Sequence, residues 1–149
     1  MKFDYVCMAG LPPLAWSAAI HRNSNRVVVY HGTGIETHRQ FFVEGAWDGE
    51  FTEGNFDTAL TFSGSGGRLR SDRSICFSSA SNNLERLYEL NRGHEYLISN
   101  SLVMLLTASG KEPDPSYPNY FLDYTRFYRV GIRTFNKFIP CASGAKSGL

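Results

Sequence analysis

The sequence predicts one α+β domain of six to eight strands and two or three helices. Three observations predict it. The β-branched run Arg26-Val27-Val28-Val29-Tyr30 stops at Gly32, as a strand does at a turn. From Phe41 onward, short segments with strand-like alternation recur between glycine and Asp-Gly turns. Tyr120, Phe121, Tyr124, Phe127 and Tyr128 recur at helical spacing and form one stripe. A chain of 149 residues has the length of a single domain. The boundaries expected are 1–141 for that domain and 142–149 for a flexible tail of small and polar residues.

The elements follow in order. Phe3, Tyr5 and Cys7 alternate with Lys2, Asp4 and Val6 and suit a strand. Pro12-Pro13 interrupts the apolar segment that follows, and Arg26–Tyr30 is the next strand. His38 to Asp48 contains Phe41-Phe42-Val43 and Trp47 and ends in the turn chemistry of Asp48-Gly49. Thr58 to Phe62 reads as strand, and Ser63-Gly64-Ser65-Gly66-Gly67 as a flexible hairpin connection. Arg68–Arg73 and Ser74–Ser79 flank a turn at Asp72. Leu84–Leu90 and Glu95–Ile98 are the arms of a hairpin around Asn91-Arg92-Gly93-His94. Ser99 or Asn100 caps a helix over Ser101–Ala108, which Gly110 ends. Lys111 to Pro118 holds three prolines and is a connection to the aromatic helix, which Gly131 ends.

Composition narrows the function classes. A net charge of +1 gives no reason for general binding to nucleic acid or to an anionic membrane. No apolar run approaches the roughly 18 residues of a membrane-crossing helix. Cys7, Cys76 and Cys141 are widely spaced and odd in number, so the reading is a reduced, cytoplasmic protein without a zinc site. His21, His31, His38 and His94 have no metal-ligand spacing, and no cofactor is expected. Asp48, Glu50, Glu53 and Asp57 crowd one loop, with Arg68, Arg70 and Arg73 close behind them. A charge-balanced solvated surface accounts for both groups.

Two motifs point to chemistry. The glycine run at 63–67 resembles a phosphate loop, because glycines let backbone amides approach an anion. It lacks both the Gly-Lys-Ser/Thr of a Walker loop and the Asp of a pyrophosphatase loop, where Leu69 stands. Tyr30-His31-Gly32-Thr33 resembles the first motif of NAD-using ADP-ribosyltransferases, whose His and Gly hold the adenine-ribose hydroxyl and the nicotinamide amide. Its partner motifs are absent, with Glu95 the one acidic residue that leads a plausible strand. A strand that runs into a glycine turn accounts for these four residues as well.

A longer resemblance lies in Arg68-Leu69-Arg70-Ser71-Asp72-Arg73, then Leu87-Tyr88-Glu89-Leu90, a turn at Gly93, Glu95-Tyr96-Leu97-Ile98-Ser99-Asn100-Ser101-Leu102 and Val103-Met104-Leu105-Leu106. This succession is similar to the late part of the N-terminal, Ntn-type amidotransferase domain of asparagine synthetases. Trp47-Asp48 corresponds to the aromatic-aspartate pair that ends an earlier strand there, and the likeness spans roughly Phe41 to Ala108. It implies stacked antiparallel β-sheets flanked by helices, an Ntn-hydrolase-like sandwich. It also implies an ATP-using synthetase-type partner domain, in cis in a longer relative or in trans here.

The glutaminase chemistry of the family does not carry over. Its nucleophile is a cysteine directly after the initiator methionine, with the free amine as base; this chain has Lys2 there. The arginine motif for the glutamine carboxylate and the asparagine-glycine oxyanion motif are missing. Cys7-Met8-Ala9-Gly10 is similar to the start of the mature enzymes, which leaves Cys7 as the one candidate nucleophile and a strand cysteine as its plain account. The expectation is a non-catalytic scaffold or binding half, with an ADP-ribosyltransferase-like enzyme around Tyr30, His31 and Gly32 as the alternative. A self-associating module without a small ligand is the second alternative. The aromatic stripe favours a homodimer, with Tyr124 and Phe127 closer to its interface than the glycine run Ser63–Gly67.

Overall fold

The computed structural model describes residues 1–82, 85–112 and 116. The chain divides into one unit over Met1–Leu105 and a second over Leu106–Leu149. The expected aromatic helix, the homodimer contacts at Tyr124 and Phe127 and the tail at 142–149 lie outside the described residues.

The first unit is a sandwich of two sheets, as expected for an α+β fold. Strands β1 (Lys2–Cys7), β2 (Trp16–His21), β3 (Arg26–His31), β8 (Tyr88–Asn91) and β9 (Glu95–Ser99) form a five-stranded sheet in the order β1-β3-β2-β9-β8. Strands β4 (Glu36–Thr37), β5 (Phe41–Trp47), β6 (Phe62–Leu69) and β7 (Ile75–Ser79) form a four-stranded sheet in that order. All pairings are antiparallel except β1 with β3, which run parallel with Lys2 opposite Arg26 and Cys7 opposite His31. A helix, α1 (Leu102–Ser109), follows β9.

Three apolar layers hold the unit together. Between the sheets, Phe3, Trp16, Ala18, Val27, Val29, Phe42 and Ile98 form the central core, with Leu69, Ile75 and Phe77 packed against it. Trp16 and Phe42 are fully buried and meet edge to face at 4.8 Å between ring centroids, a geometry that the ring quadrupole favours. On the outer face of the four-stranded sheet, Phe41, Val43, Phe56 and Phe62 pack together with Trp47 under the segment after β5. On the outer face of the five-stranded sheet, Ala19 and Leu97 are covered by Leu105 of α1. The alternation of the strands explains all three layers, because successive side chains of β5 and β9 serve opposite faces.

Three local expectations are corrected. Ser63–Gly67 is no connection but part of β6, paired throughout with β5 and from Ser65 onward with β7 as well. Gly45 and Gly64 lie opposite each other with φ of 129° and 130°, and a Cβ on Gly64 would come within 1.9 Å of the Glu44 carbonyl oxygen. The glycines thus let two backbones approach, and the Phe42 and Phe77 rings lie over Gly67. This strand is glycine-rich because its neighbours fill the space its side chains would take. Strand β2 was hidden because Ser17, Ala18 and Ala19 have weak strand preference. The helix is capped one residue later than expected: the Met104 amide donates to Ser101 Oγ, while Ser99 Oγ accepts from the Ser101 amide.

Candidate functional site

The start of β1 and the turn between β6 and β7 enclose a cleft of about 940 Å³. Its lining brings Lys2, Arg39, Arg68, Arg70 and Arg73 together with Asp4, Asp57 and Asp72. Phe3 and Leu69 contribute apolar surface.

Asp57 organises the cleft. It follows the 3-10 turn Phe51–Glu53, and its side chain is 1% exposed. Arg68 donates to one carboxylate oxygen at 2.7 Å and Arg70 to the other, with Nη2 at 2.9 Å and Nε at 3.0 Å. Burial pushes the Asp57 carboxyl up, but the two guanidinium hydrogen bonds outweigh it and hold the group below the usual aspartate range. Arg68 is 27% exposed and Arg70 45%, so each also presents N–H groups to solvent. Asp4 is shared by Lys2, at 3.4 Å, and by Arg26. Among the described residues the guanidiniums of Arg39 and Arg73 have no ion-pair partner.

The turn that carries Arg73 is closed by its own backbone. The Arg73 amide donates to the Arg70 carbonyl, the Arg70 amide to the Ser74 carbonyl and the Ser74 amide to Asp72 Oδ1. Arg73 has φ of 67° and is the one non-glycine residue with positive φ among those described.

A second polar cluster bridges the sheets. Trp16 Nε1 donates to Ser65 Oγ at 2.8 Å, and Ser65 Oγ donates to Glu44 Oε1 at 2.8 Å. Burial raises the Glu44 carboxyl above its usual range, and the nearby Glu85 charge adds to this against the hydrogen bonds of Ser65 and Asn100. Asn100 also accepts from the Trp16 amide and donates to the Leu14 carbonyl.

The residues singled out by sequence are dispersed. Tyr30 and His31 project to opposite faces of β3: Tyr30 is exposed, while His31 is buried with its ring edge-on to Tyr5 and Nδ1 2.8 Å from the Gly32 carbonyl oxygen. Gly32 is pressed on the Pro12 and Pro13 carbonyls. Glu95 meets His21 at 3.5 Å and Arg92 at 3.3 Å. Cys7 is exposed at the far end of β1, roughly 16 Å along the strand from Lys2 at about 3.3 Å per residue. In the acidic loop, Asp48 accepts from the Thr61 amide and Glu53 from Asn55, so only Asp57 reaches the arginines. Among the described residues no group of His, Cys, Asp and Glu side chains is arranged to hold a metal ion, and no helix is long and apolar enough to cross a membrane. Sequence reasoning listed Arg68, Arg70 and Arg73 as surface charge and did not join them to Lys2 and Arg39. The signal available was the alternate spacing of Arg68 and Arg70, which puts both on one side of an extended chain. Compared with family models, with curated proteins and with solved structures, the chain matches none.

Proposed function

We propose that this chain is a non-catalytic, amidotransferase-like binding half that acts with an ATP-using, asparagine-synthetase-like partner domain. The observation that carries the reading is the start of β1. In the resembled family that strand begins with the nucleophilic cysteine; here it begins with Lys2, whose ammonium is 3.4 Å from Asp4 in an arginine-lined cleft. Cys7 projects from the opposite end of the strand and lines no part of that cleft. The layering of two sheets with α1 against one outer face agrees with the architecture the resemblance implies. The ADP-ribosyltransferase-like reading draws no support from His31, which is buried and turned to the opposite face from Tyr30.

A glutaminase assay of the purified chain tests the proposal. Ammonia release from glutamine is expected at background. Measurable turnover that Cys7→Ala abolishes would overturn it. NAD-induced thermal stabilisation that disappears in His31→Ala would move the assignment to the ADP-ribosyltransferase-like reading, because binding to the native state raises its stability by mass action. For the partner, sedimentation of the chain distinguishes self-association from a monomer that awaits another domain.

A further inference from the structure

We infer that the cleft at the start of β1 is a binding site for a small, multiply charged oxyanion, of the phosphate or polycarboxylate type, held by Arg39 and Arg73 beside the fixed pair Arg68 and Arg70. The inference draws on the cleft alone and does not rest on the amidotransferase-like reading.

Charge is the first argument. Five cationic side chains line the cleft against three carboxylates. One of those carboxylates, Asp57, is divided between two guanidiniums, and another, Asp4, between Lys2 and Arg26. The whole chain carries a net charge of only +1, so this surplus is local and suits a compact anion rather than a long polyanion. The volume of about 940 Å³ lies within the range of small-molecule sites.

Preorganisation is the second. Asp57 takes both of its oxygens out of water to hold Arg68 and Arg70. That fixes two guanidiniums side by side: Nε and Nη2 of Arg70 and Nη1 of Arg68 donate to Asp57, and the remaining N–H groups of each are left for the oxygens of a phosphate or carboxylate group. A ligand then meets donors that are already ordered, which lowers the entropy cost of binding.

The backbone at Arg73 points the same way. Position 73 lies in the left-handed region, where glycine or asparagine is the comfortable residue. An arginine there accepts local strain while presenting its charge to the cleft, and strain of this kind gathers at binding sites. The strain also supplies a test, because Arg73→Gly relieves it while removing the cation.

Titration calorimetry on the full chain, with pyrophosphate and separately with citrate at ionic strength fixed by chloride, reads the site directly. Saturable binding of at least one anion is expected, weakened at least tenfold in the double variant Arg39→Gln, Arg73→Gly. Without ligand, that variant should melt at or above the wild-type temperature. Preference for pyrophosphate or for citrate tells which source of oxyanion the cleft takes. Arg39→Gln alone leaves the turn untouched and should weaken binding at least threefold. Binding of neither anion, or an affinity that Arg39→Gln and the double variant leave unchanged, would overturn the inference.

Discussion

Strand β6 holds a carboxyl group on each of its faces, and the two are treated in opposite ways. On one side Arg68 grips Asp57 together with Arg70; on the other Ser65 bonds Glu44 across the sheet. Both carboxyls lose water, and desolvation is the largest influence on each. Asp57 nevertheless stays more acidic than usual because its partners are cations, whereas Glu44 becomes less acidic because its partners are a hydroxyl and an amide beside the charge of Glu85. Hydrogen bonds from neutral groups also favour the charged form, but at Glu44 they do not outweigh the lost hydration and the Glu85 charge. The comparison separates an ion pair that builds a cleft from a polar bridge that joins two sheets.

The largest effect is expected of Asp57→Ala. It should cost about 2–3 kcal/mol, because two guanidiniums lose a hydrogen-bonded counter-charge but remain partly open to water. Chemical denaturation at neutral pH measures it, and a loss below about 0.5 kcal/mol would mean that the pair is merely a surface contact. Ser65→Ala should follow at about 1–2 kcal/mol, since it leaves the buried Trp16 Nε1 and a Glu44 oxygen without their shared partner. Trp16 fluorescence should shift in the folded state of that variant, and an unchanged spectrum would contradict the bridge.

The pH dependence sharpens the contrast further. Asp57 is more acidic folded than unfolded, so its contribution is present above about pH 4 and is lost as pH falls through the lowered value. Melting temperatures of Asp57→Asn should therefore depend less on pH below about 4 than those of the wild type. Glu44 is less acidic folded than unfolded, so its favourable contribution is complete below about pH 4 and declines as pH rises through the raised value. The smallest expected effect is that of Glu44→Gln. It should match the wild type at low pH and exceed it by about 0.5 kcal/mol at neutral pH, where the variant carries no buried charge. A variant that is less stable than wild type at neutral pH would show that the Glu44 charge is wanted.

The fold was legible where side chains reported their own burial. Val27 and Val29 announced β3, and Ile75 and Phe77 announced β7. It was illegible where a neighbour filled the space: Ser63–Gly67 carries no apolar side chain, and only the rings of Phe42, Phe56 and Phe77 reveal it as a central strand. The cleft was illegible for another reason. Lys2 joins Arg68 and Arg70 only through the stacking of two sheets, and Arg39 joins them through the pairing of β5 with β6; nothing in local spacing carries that information. The acidic loop reads as one solvated group, yet one member alone faces the arginines, a selection made by the fold of the loop rather than by its composition.

The order of strands has a consequence for how the protein is made. Strand β2 is central, yet one of its neighbours, β9, lies far along the chain, with Ser17 opposite Ser99. While the polypeptide emerges from a ribosome, β2 can pair early with β3 through a short turn, but its other edge waits for most of the unit to be synthesised. Until then it presents open backbone donors and acceptors, which other chains can pair with. Residues 95–99 therefore act as a late closing seal, and a nascent chain arrested before them should be a far stickier species than the finished one.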